Sequence, residues 1–473
     1  MATKQVSWMV AALLTLGAAQ FAAAAVTRSG YIVEARDTAS AGKAVRHVGG
    51  RVTHDLPIIN GVSALLTPTQ LDSLRFDPTV TLFADAPVAA QGNPIVDSYA
   101  RAFVGANLLA AQGLFGNGVT VAILDSGVWY SNGSVSSDLN SHYKILAMYD
   151  AIAGVQQNTP DGNGHGSHIA SIIGSADTSV DGQLLGIAPM APLVAVKAFD
   201  NGGSANYANV VNGLNWILVN RSKYNIRVLN LSFGAKPQSF YWNDPIDQAV
   251  MKLWQAGVVV VASAGNFGPS PQTIAVPGNT PYVITVGAMT DNYTPANRAD
   301  DGIASFSSTG PTFEGFVKPD VVAPGGHLPG NMDLSTMAIP KAHPEFITDQ
   351  NALMVMSGTS QSAAVVSGAV ALMLQAIPSL TPDQVKCRLM ASAGAAVASN
   401  GKAAYSVFQQ GAGLVNAFNA LYSQAANCTN KGSTSPRTLP ALHITAGNGS
   451  LWNQSSVAPA SAPTATESWN QQE

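Results

Sequence analysis

Charged side chains are scarce in this chain. Lysine, arginine, aspartate and glutamate make up 11% of its 473 residues, whereas average usage is about 25%. The net charge is −4 and the basic residues form no long run, so the sequence argues against a nucleic-acid or polyanion partner. With 47% hydrophobic residues and 44 glycines, the composition is typical of a compact α/β protein that works outside the cell.

Cysteine is nearly absent, and long apolar segments are few. Cys387 and Cys428 are the only cysteines; they could pair in an oxidising compartment, but two cysteines do not establish a bridge. After residue 25 no apolar segment is long enough to span a bilayer, so we expect no stable membrane span.

Residues 1–25 have the plan of a secretory signal peptide. Lys4 supplies an early positive charge, residues 10–16 form a short apolar core, and small residues follow. An uncleaved membrane anchor is the alternative, for which the apolar core is short. We therefore expect a secreted or extracytoplasmic protein.

Residues 30–88 form a small unit of their own. Thr67-Pro68-Thr69-Gln70 is a capping box with proline at the first helical position. Strands are predicted at 31–35, 51–56, 61–66 and 79–83, and helices at 41–48 and from 68 through 74. This β-α-β-β-α-β order predicts a ferredoxin-like α+β module, with an ordinary attached subdomain as the alternative.

The rest of the chain predicts a larger domain at residues 95–427, after a linker-like stretch at 91–94. Residues 119–124 are continuously apolar and β-branched, which is typical of a strand buried on both faces. Further predicted strands (193–198, 228–232, 258–262) alternate with predicted helices (207–220, 246–255). The sequence therefore predicts an α/β fold with a doubly wound, mostly parallel sheet. Residues 430–473 are rich in Ser, Thr, Pro, Asn and Gln, and we predict a mostly disordered tail.

Polar residues stand where the predicted strands end and the predicted helices begin. Asp125 follows the first buried strand, at the edge where open α/β sheets bind ligands, although an aspartate there can simply form a turn. His165 lies at a helix start and His168 follows three residues later. Because no Glu or Cys stands at ligand spacing from this pair, we assign no metal ligands.

Gly358-Thr359-Ser360 precedes an alanine-rich apolar segment that should stay helical until Pro378. Backbone N–H groups at such a helix start can receive a developing negative charge. By themselves, Thr359 and Ser360 favour the simpler interpretation that they cap a core helix. A nucleophilic serine needs a base and an acid that orients the base, and its oxyanion needs donors such as the Asn266 amide.

Four short blocks together resemble the signatures of the subtilisin-like serine proteases (subtilases, peptidase family S8). They are Asp125-Ser126-Gly127, His165-Gly166-Ser167-His168, Ala264-Gly265-Asn266 and Gly358-Thr359-Ser360. Their order along the chain is the one known for that family. The resemblance implies that Asp125 orients, His165 acts as base and acid, Ser360 attacks, and Asn266 holds the oxyanion.

The resemblance also implies a substrate strand, a propeptide and a way of maturing. Ser232, Phe233 and Gly234 match the segment against which substrates pair. Residues 26–90 are similar to the family's inhibitory, inhibitor I9-like propeptide, whose final strand should enter the cleft, with a first cut between about residues 86 and 94. The chemistry needs no cofactor; many relatives bind structural calcium, but the sequence assigns no ligands.

The sequence departs from the family at three positions near these blocks. Ala364 stands where Pro is usual, Gln361 where Met is commonest, and Ser167 where Thr is commoner. None of these removes a reacting atom, so they concern the shape of the cleft. The main prediction is a secreted serine endopeptidase made as an autoprocessing zymogen and acting on proteins or peptides. The alternatives are a peptide ligase or macrocyclase of the same fold, and a non-catalytic binding protein on the fold.

Overall fold

The computed structural model describes residues 28–90, 99–179, 182–294, 297–348, 352–398 and 402–426. The predicted signal segment, the linker-like stretch at 91–94, Cys428 and the predicted tail at 430–473 lie outside these ranges. Within them, no helix is both long and apolar enough to cross a membrane.

Residues 29–84 fold into a four-stranded antiparallel sheet with two helices. The β-α-β-β-α-β order agrees with the sequence prediction, and the sheet order is β2-β3-β1-β4. The Thr67 side chain accepts from Gln70 N and the Gln70 side chain accepts from Thr67 N, so the predicted capping box is confirmed. The bounds are β1 Ser29–Glu34, α1 Thr38–His47, β2 Arg51–Leu56, β3 Gly61–Leu66, α2 Pro68–Arg75 and β4 Thr81–Ala84.

The larger part of the chain is organised around one mostly parallel sheet, as predicted. Its order is β14-β13-β12-β10-β6-β8-β7, with β15 parallel to β13 and β14 antiparallel to it. The chain leaves β6 toward β8 and β7 on one side and resumes at β10 on the other. The carboxyl ends of β6 and β10 therefore flank the point where the strand order reverses, and ligands bind there in such sheets. The strands are β6 Thr120–Asp125, β7 Ile145–Asp150, β8 Leu193–Lys197, β10 Ile226–Leu231, β12 Val259–Ser263, β13 Ile284–Thr290, β14 Gly302–Ile303 and β15 Val321–Pro324.

Helices cover both faces of this sheet, and α10 passes through the core. Every residue of α10 from Thr359 to Leu374 is buried, which explains its small side chains. A Cβ added at Gly368 would collide with Ile187, so glycine is needed for this close packing. The helices are α3 Ala100–Phe103, α4 Ala106–Ala110, α5 Gly133–Ser136, α6 His165–Gly174, α7 Tyr207–Asn220, α8 Pro245–Gln255, α9 Ala338–Ala342, α10 Thr359–Ala376, α11 Pro382–Ser392, α12 Val407–Gln410 and α13 Ala417–Tyr422.

A third, small sheet joins the N-terminal module to the larger part. Its order is β11-β5-β9, and β5 is antiparallel to both neighbours. Its strands are β5 Pro87–Ala90, β9 Ser204–Asn206 and β11 Phe233–Gly234. Ala90 lies opposite Phe233 and Ala89 opposite Gly234. The segment after the module therefore lies as a middle strand between two segments of the larger part.

The strand pair β16 Leu328–Asn331 and β17 Leu353–Met356 was not predicted. Pro329 and Gly330 lie within β16 and, from sequence alone, are typical of a turn. The pair brings Met332, Met354 and Met356 into a small buried cluster, and Met332 approaches the position that a Cβ on Gly164 would occupy. This pair thus packs beside the residue that precedes His165.

Candidate active site

Asp125 and His165 form a buried hydrogen-bonded pair. Asp125 is the last residue of β6 and His165 the first of α6. His165 Nδ1 lies 2.8 Å from Asp125 Oδ1 and 3.0 Å from Oδ2, and each residue is 1% exposed. A Cβ on Gly166 would collide with Gly127 O, so glycine at that position lets the helix start approach the strand end.

The carboxylate determines which nitrogen of His165 carries the proton. An ionised carboxylate only accepts hydrogen bonds, so Nδ1 must donate and Nε2 is left as the basic nitrogen. His168 has a different role: its Nε2 donates to Leu328 O at 3.0 Å, and burial lowers its pKa to about 3. His168 therefore stays neutral and serves as a packing residue.

Asp161 shapes the loop before His165, and the sequence analysis did not single it out. Its Oδ1 accepts from Asn163 N at 3.0 Å and from Gly164 N at 2.8 Å. Its Oδ2 accepts from Ser167 N at 2.9 Å and from Ser167 Oγ at 2.7 Å. The polar, glycine-rich run from Asp161 to Gly164 was the available signal, because such runs form side-chain-supported turns.

Ser360 is the second residue of α10, at the amino-terminal end of this core helix. The N-cap is Gly358, which has no side chain with which to cap the helix, so neither Thr359 nor Ser360 serves as the cap that the sequence left open. Ser360 Oγ donates to Ser232 O at 3.0 Å. One residue further on, Gln361 Nε2 lies 3.4 Å from His168 Nδ1, so the starts of α6 and α10 meet.

Asn266 is held against the same helix start. Its Oδ1 accepts from Thr359 N at 3.0 Å and from Thr359 Oγ1 at 2.8 Å. Thr359 Oγ1 also accepts from Gly265 N at 3.2 Å. These contacts fix the amide with its oxygen toward Thr359 and its NH₂ group on the opposite side. Thr359 is thus a second residue that the sequence analysis did not assign to the site.

The predicted substrate-pairing residues lie directly beside Ser360. Ser232 Oγ donates to Ser360 O at 2.8 Å, and Phe233 and Gly234 form β11, which pairs with β5. The strand edge is thereby fastened to the helix start through two bonds in opposite directions. The structure thus pairs Asp125 with His165, and Ser232 with Ser360. Asn266 is joined to the start of α10 through Thr359, and the two groups approach each other where Gln361 meets His168.

A cavity of about 680 Å³ opens beside Asn266, from Phe267 onward. Its walls include Phe240, Phe267, Ile274 and Ala275, and Lys236 is the charged residue that lines it. The two walls meet at the backbone bridge between Ala235 and Val276. A larger cavity of about 1410 Å³ lies between the N-terminal module and residues near Trp242, and no predicted site residue lines it.

The described residues do not offer a metal site built from side chains. No group of three or more His, Cys, Asp or Glu residues converges within the part of the chain that the structure describes. Cys387 is disulfide-bonded; Cys428, the other cysteine of the sequence, lies outside the described residues.

Comparisons with known proteins point to one family. The sequence profile of the Subtilase family matches residues 116–413. Serine protease AprX of Bacillus subtilis (strain 168) is 35% identical over 345 residues, covering 69% of this chain and 73% of that protein. Subtilisin E of the same organism is 31% identical over 386 residues, covering 79% and 88%.

A solved structure shares the fold. Fervidolysin from Fervidobacterium pennivorans, described as a keratinolytic enzyme related to subtilisin, superposes with a TM-score of 0.67 at 23% identity. The match covers 85% of the present chain and 62% of the fervidolysin chain, so this chain spans less than two thirds of fervidolysin's length.

Proposed function

Because the chain belongs to the subtilase family and is a serine-type endopeptidase, we propose that Ser360, His165 and Asp125 cleave peptide bonds in proteins or peptides. Ser360 is the nucleophile, His165 the general base and acid, and Asp125 the orienting carboxylate. The observation that carries the proposal is the buried 2.8 Å contact between His165 Nδ1 and Asp125 Oδ1 beside the start of α10.

The reaction follows from this arrangement. Ser360 Oγ attacks the carbonyl carbon while its proton passes to His165 Nε2, and Asp125 stabilises the imidazolium. The oxyanion is received by the Asn266 NH₂ group and the Ser360 backbone N–H. His165 then gives the proton to the leaving amine, and a water molecule, activated by the same nitrogen, hydrolyses the acyl-enzyme. The substrate pairs with β11 in the way that β5 does.

The chain is made, in this proposal, as a zymogen that cuts itself. The pairing of β5 between β11 and β9 supports an inhibitory role for the module at 26–90. Ala90 lies opposite Phe233. Ser232 directly precedes Phe233 in the chain, and its carbonyl oxygen accepts a hydrogen bond from Ser360 Oγ. We therefore place the first cut just beyond Ala90, within the range of 86–94.

Secretion completes the proposal. Residues 1–25 act as the signal peptide, 95–427 form the peptidase domain, and 430–473 form a low-complexity tail. A disulfide-bonded Cys387 supports an oxidising compartment. Neutral His165 is the base, so the enzyme should work in the neutral-to-alkaline range. No cofactor takes part in the chemistry.

Replacing Ser360 tests the function and the self-cut together. Wild-type protein should lose the module, and a serine-directed acylating probe should label Ser360. In Ser360→Ala the signal peptide should still be removed by another enzyme, and the precursor should keep residues from about 26 onward. Ser392→Ala is the matched control: its hydroxyl is bonded within α11 to Arg388 O, so it should mature like wild type. N-terminal sequencing reads the result. If Ser360→Ala matures to the wild-type N-terminus without another protease present, the self-cut is wrong.

Substrate preference follows from the cavity beside Asn266. Its aromatic and aliphatic walls and its lack of a lining carboxylate should favour a large apolar or aromatic residue before the cleaved bond, because burial supplies the discrimination. Cleavage of a peptide library by the mature enzyme measures the profile. A profile dominated by Arg or Lys would contradict this prediction.

A further inference from the structure

One buried polar side chain stands out in the central sheet. Asn230 lies near the carboxyl end of β10 among apolar residues and is fully buried. Burying an amide costs free energy unless its donors and acceptors are satisfied. Here Ser367 Oγ donates to Asn230 Oδ1 at 2.9 Å, and Asn230 Nδ2 donates to Ser232 Oγ at 2.8 Å. Both partners are themselves fully buried.

The direction of these bonds is determined by their last member. Ser232 Oγ lies 2.8 Å from Ser360 O, and a carbonyl oxygen only accepts, so the Ser232 hydroxyl must donate there. Having used its proton, Ser232 Oγ can only accept from Asn230, which places the NH₂ group of Asn230 on this side. The amide oxygen then faces Ser367. The four groups form a one-way relay from Ser367 to the carbonyl of Ser360.

The relay braces the start of α10 against the strand edge that pairs with β5. Ser360 and Ser367 are seven residues apart on α10, which places them on the same face two turns apart. Ser360 Oγ in turn donates to Ser232 O at 3.0 Å, so Ser232 and Ser360 are joined by two reciprocal bonds. A change in the orientation of the Ser232 hydroxyl would therefore shift Ser360 Oγ relative to a peptide bound on β11.

We propose that Asn230 is a positioning residue for Ser360: by orienting the Ser232 hydroxyl, it holds the nucleophile in register with the peptide paired on β11. This inference rests on the proposed function of Ser360. Asn230 does not touch the reacting atoms and acts only through Ser232. A misplacement of about 1 Å can cost about 10²-fold in rate. A small shift of Ser360, passed on through the three hydrogen bonds of the relay, should therefore lower turnover.

Asn230→Asp tests the relay with little change of shape. A carboxylate cannot donate to Ser232, so the Ser232 hydroxyl should turn toward the introduced carboxylate and leave Ser360 O. We expect kcat to fall about ten- to hundred-fold with KM within about three-fold of wild type, because the transition state is affected more than binding. Each precursor is matured with the same trace of wild-type enzyme, which is then removed, before kcat and KM are measured on a peptide substrate.

Thr120→Val is the matched control. Thr120 is buried at the opposite end of β6, and its hydroxyl donates to Tyr224 O at 2.7 Å. This variant also loses one buried hydrogen bond of the central sheet, about 16 Å of strand away from Asp125. It should lose stability and keep the kcat of wild type.

Ser232→Ala completes a double-mutant cycle. It removes the last bond of the relay, so Asn230→Asp combined with Ser232→Ala should lose no more kcat than the larger single variant. If Asn230→Asp fails to fold, Ser367→Ala replaces it in the same cycle. Additive losses, or an Asn230→Asp kcat within two-fold of Thr120→Val, would overturn the inference. Wild-type protein that is not acylated at Ser360 would overturn the proposed function, and the inference with it.

Discussion

At the residue scale, the proposed oxyanion donor depends on its neighbour Thr359. The Thr359 hydroxyl and backbone N–H hold Asn266 Oδ1, which directs the NH₂ group away from the helix. Asn266→Ala should lower kcat about 10²–10³-fold with little change in KM, because one donor to the oxyanion is lost.

Thr359→Val keeps the shape of the side chain and removes one of the two orienting bonds, so kcat should fall about ten-fold. Steady-state kinetics on a peptide substrate measure both effects.

The double variant separates orientation from other effects of Thr359. If Thr359 acts through Asn266, then Thr359→Val should cost nothing further once Asn266 is alanine. An additive loss in the double variant would show that the threonine hydroxyl contributes to turnover by another route.

The residues that carry the proposed chemistry were predicted from sequence, but the proposed positioning residues Thr359 and Asn230 were not. Asp125, His165, Asn266 and Ser360 stand beside recognisable strand ends and helix starts. Thr359 contacts Asn266, 93 residues away in the chain, and Asn230 is held by Ser367, 137 residues away. Such contacts depend on which strands become neighbours, and no local pattern specifies that.

At the element scale, buried Lys144 bonds the carboxyl end of α6, and buried Arg101 bonds the segment whose Ile187 N donates to Ile172 O of α6. Lys144 Nζ donates to Gly174 O and, at 2.8 Å, to Pro189 O. Arg101 Nη1 donates to Gly186 O and, at 2.8 Å, to Ile187 O. Burial lowers the pKa of Lys144 to about 7 and that of Arg101 to about 10. The helix that begins with His165 is therefore anchored at the end opposite to the site.

Lys144→Met should destabilise the fold by about 1–3 kcal/mol, because two buried carbonyl oxygens lose their donor. Thermal or denaturant unfolding of the Ser360→Ala precursor, which cannot digest itself, measures this. The control is Lys223→Met: Lys223 is exposed, so its loss should stay within about 0.5 kcal/mol. Equal effects of the two substitutions would mean that Lys144 does not anchor α6.

Helix α7 was predicted closely, whereas strands β7 and β13 were missed. Helix α7 was predicted at 207–220 and spans Tyr207–Asn220. Strand β13, Ile284–Thr290, was missed; it contains Gly287, whose Cβ would press on Pro319. There glycine serves close packing against a neighbouring segment, and a sequence pattern reports it as a break.

At the scale of the whole molecule, the module docks by apolar burial and by contacts at the start of α7. Leu56, Ile58 and Ile59 belong to the same hydrophobic cluster as the large sheet. Asp85 Oδ1 accepts from Ala208 N at 2.7 Å. Burial raises the pKa of Asp85 from 3.8 to about 6, and the bond from Ala208 opposes that shift.

The raised pKa of Asp85 predicts a pH dependence of known sign. Between pH 3.8 and about 6, the Asp85 carboxyl is protonated when the module is docked and ionised when the module is free. Acidification therefore stabilises the docked state, and this stabilisation is lost as pH rises through 6. Going from pH 8 to pH 5, the Ser360→Ala precursor should gain about 1 kcal/mol from Asp85, after discounting for the part that faces solvent. Asp85→Asn keeps an acceptor for Ala208 N and should lack this gain.

Unfolding of both precursors at the two pH values measures the difference. Burial lowers the pKa of His54 in the module, which acts in the opposite direction. His54 is present in both proteins, so it cancels in the comparison. A gain on acidification that is the same with Asp85→Asn would rule out Asp85 as its source.

The position of β5 between β11 and β9 also has a consequence for timing. Because β5 belongs to the same chain as β11 and β9, its effective concentration at the position between them does not depend on the protein concentration. The proposed first cut should therefore be first order, with the same half-life in dilute and concentrated precursor. In this proposal, removal of the severed segment is different, because a second, already active molecule digests it. Activity in a fresh preparation should then appear after a lag that shortens as protein concentration rises, whereas the rate constant of the first cut stays the same.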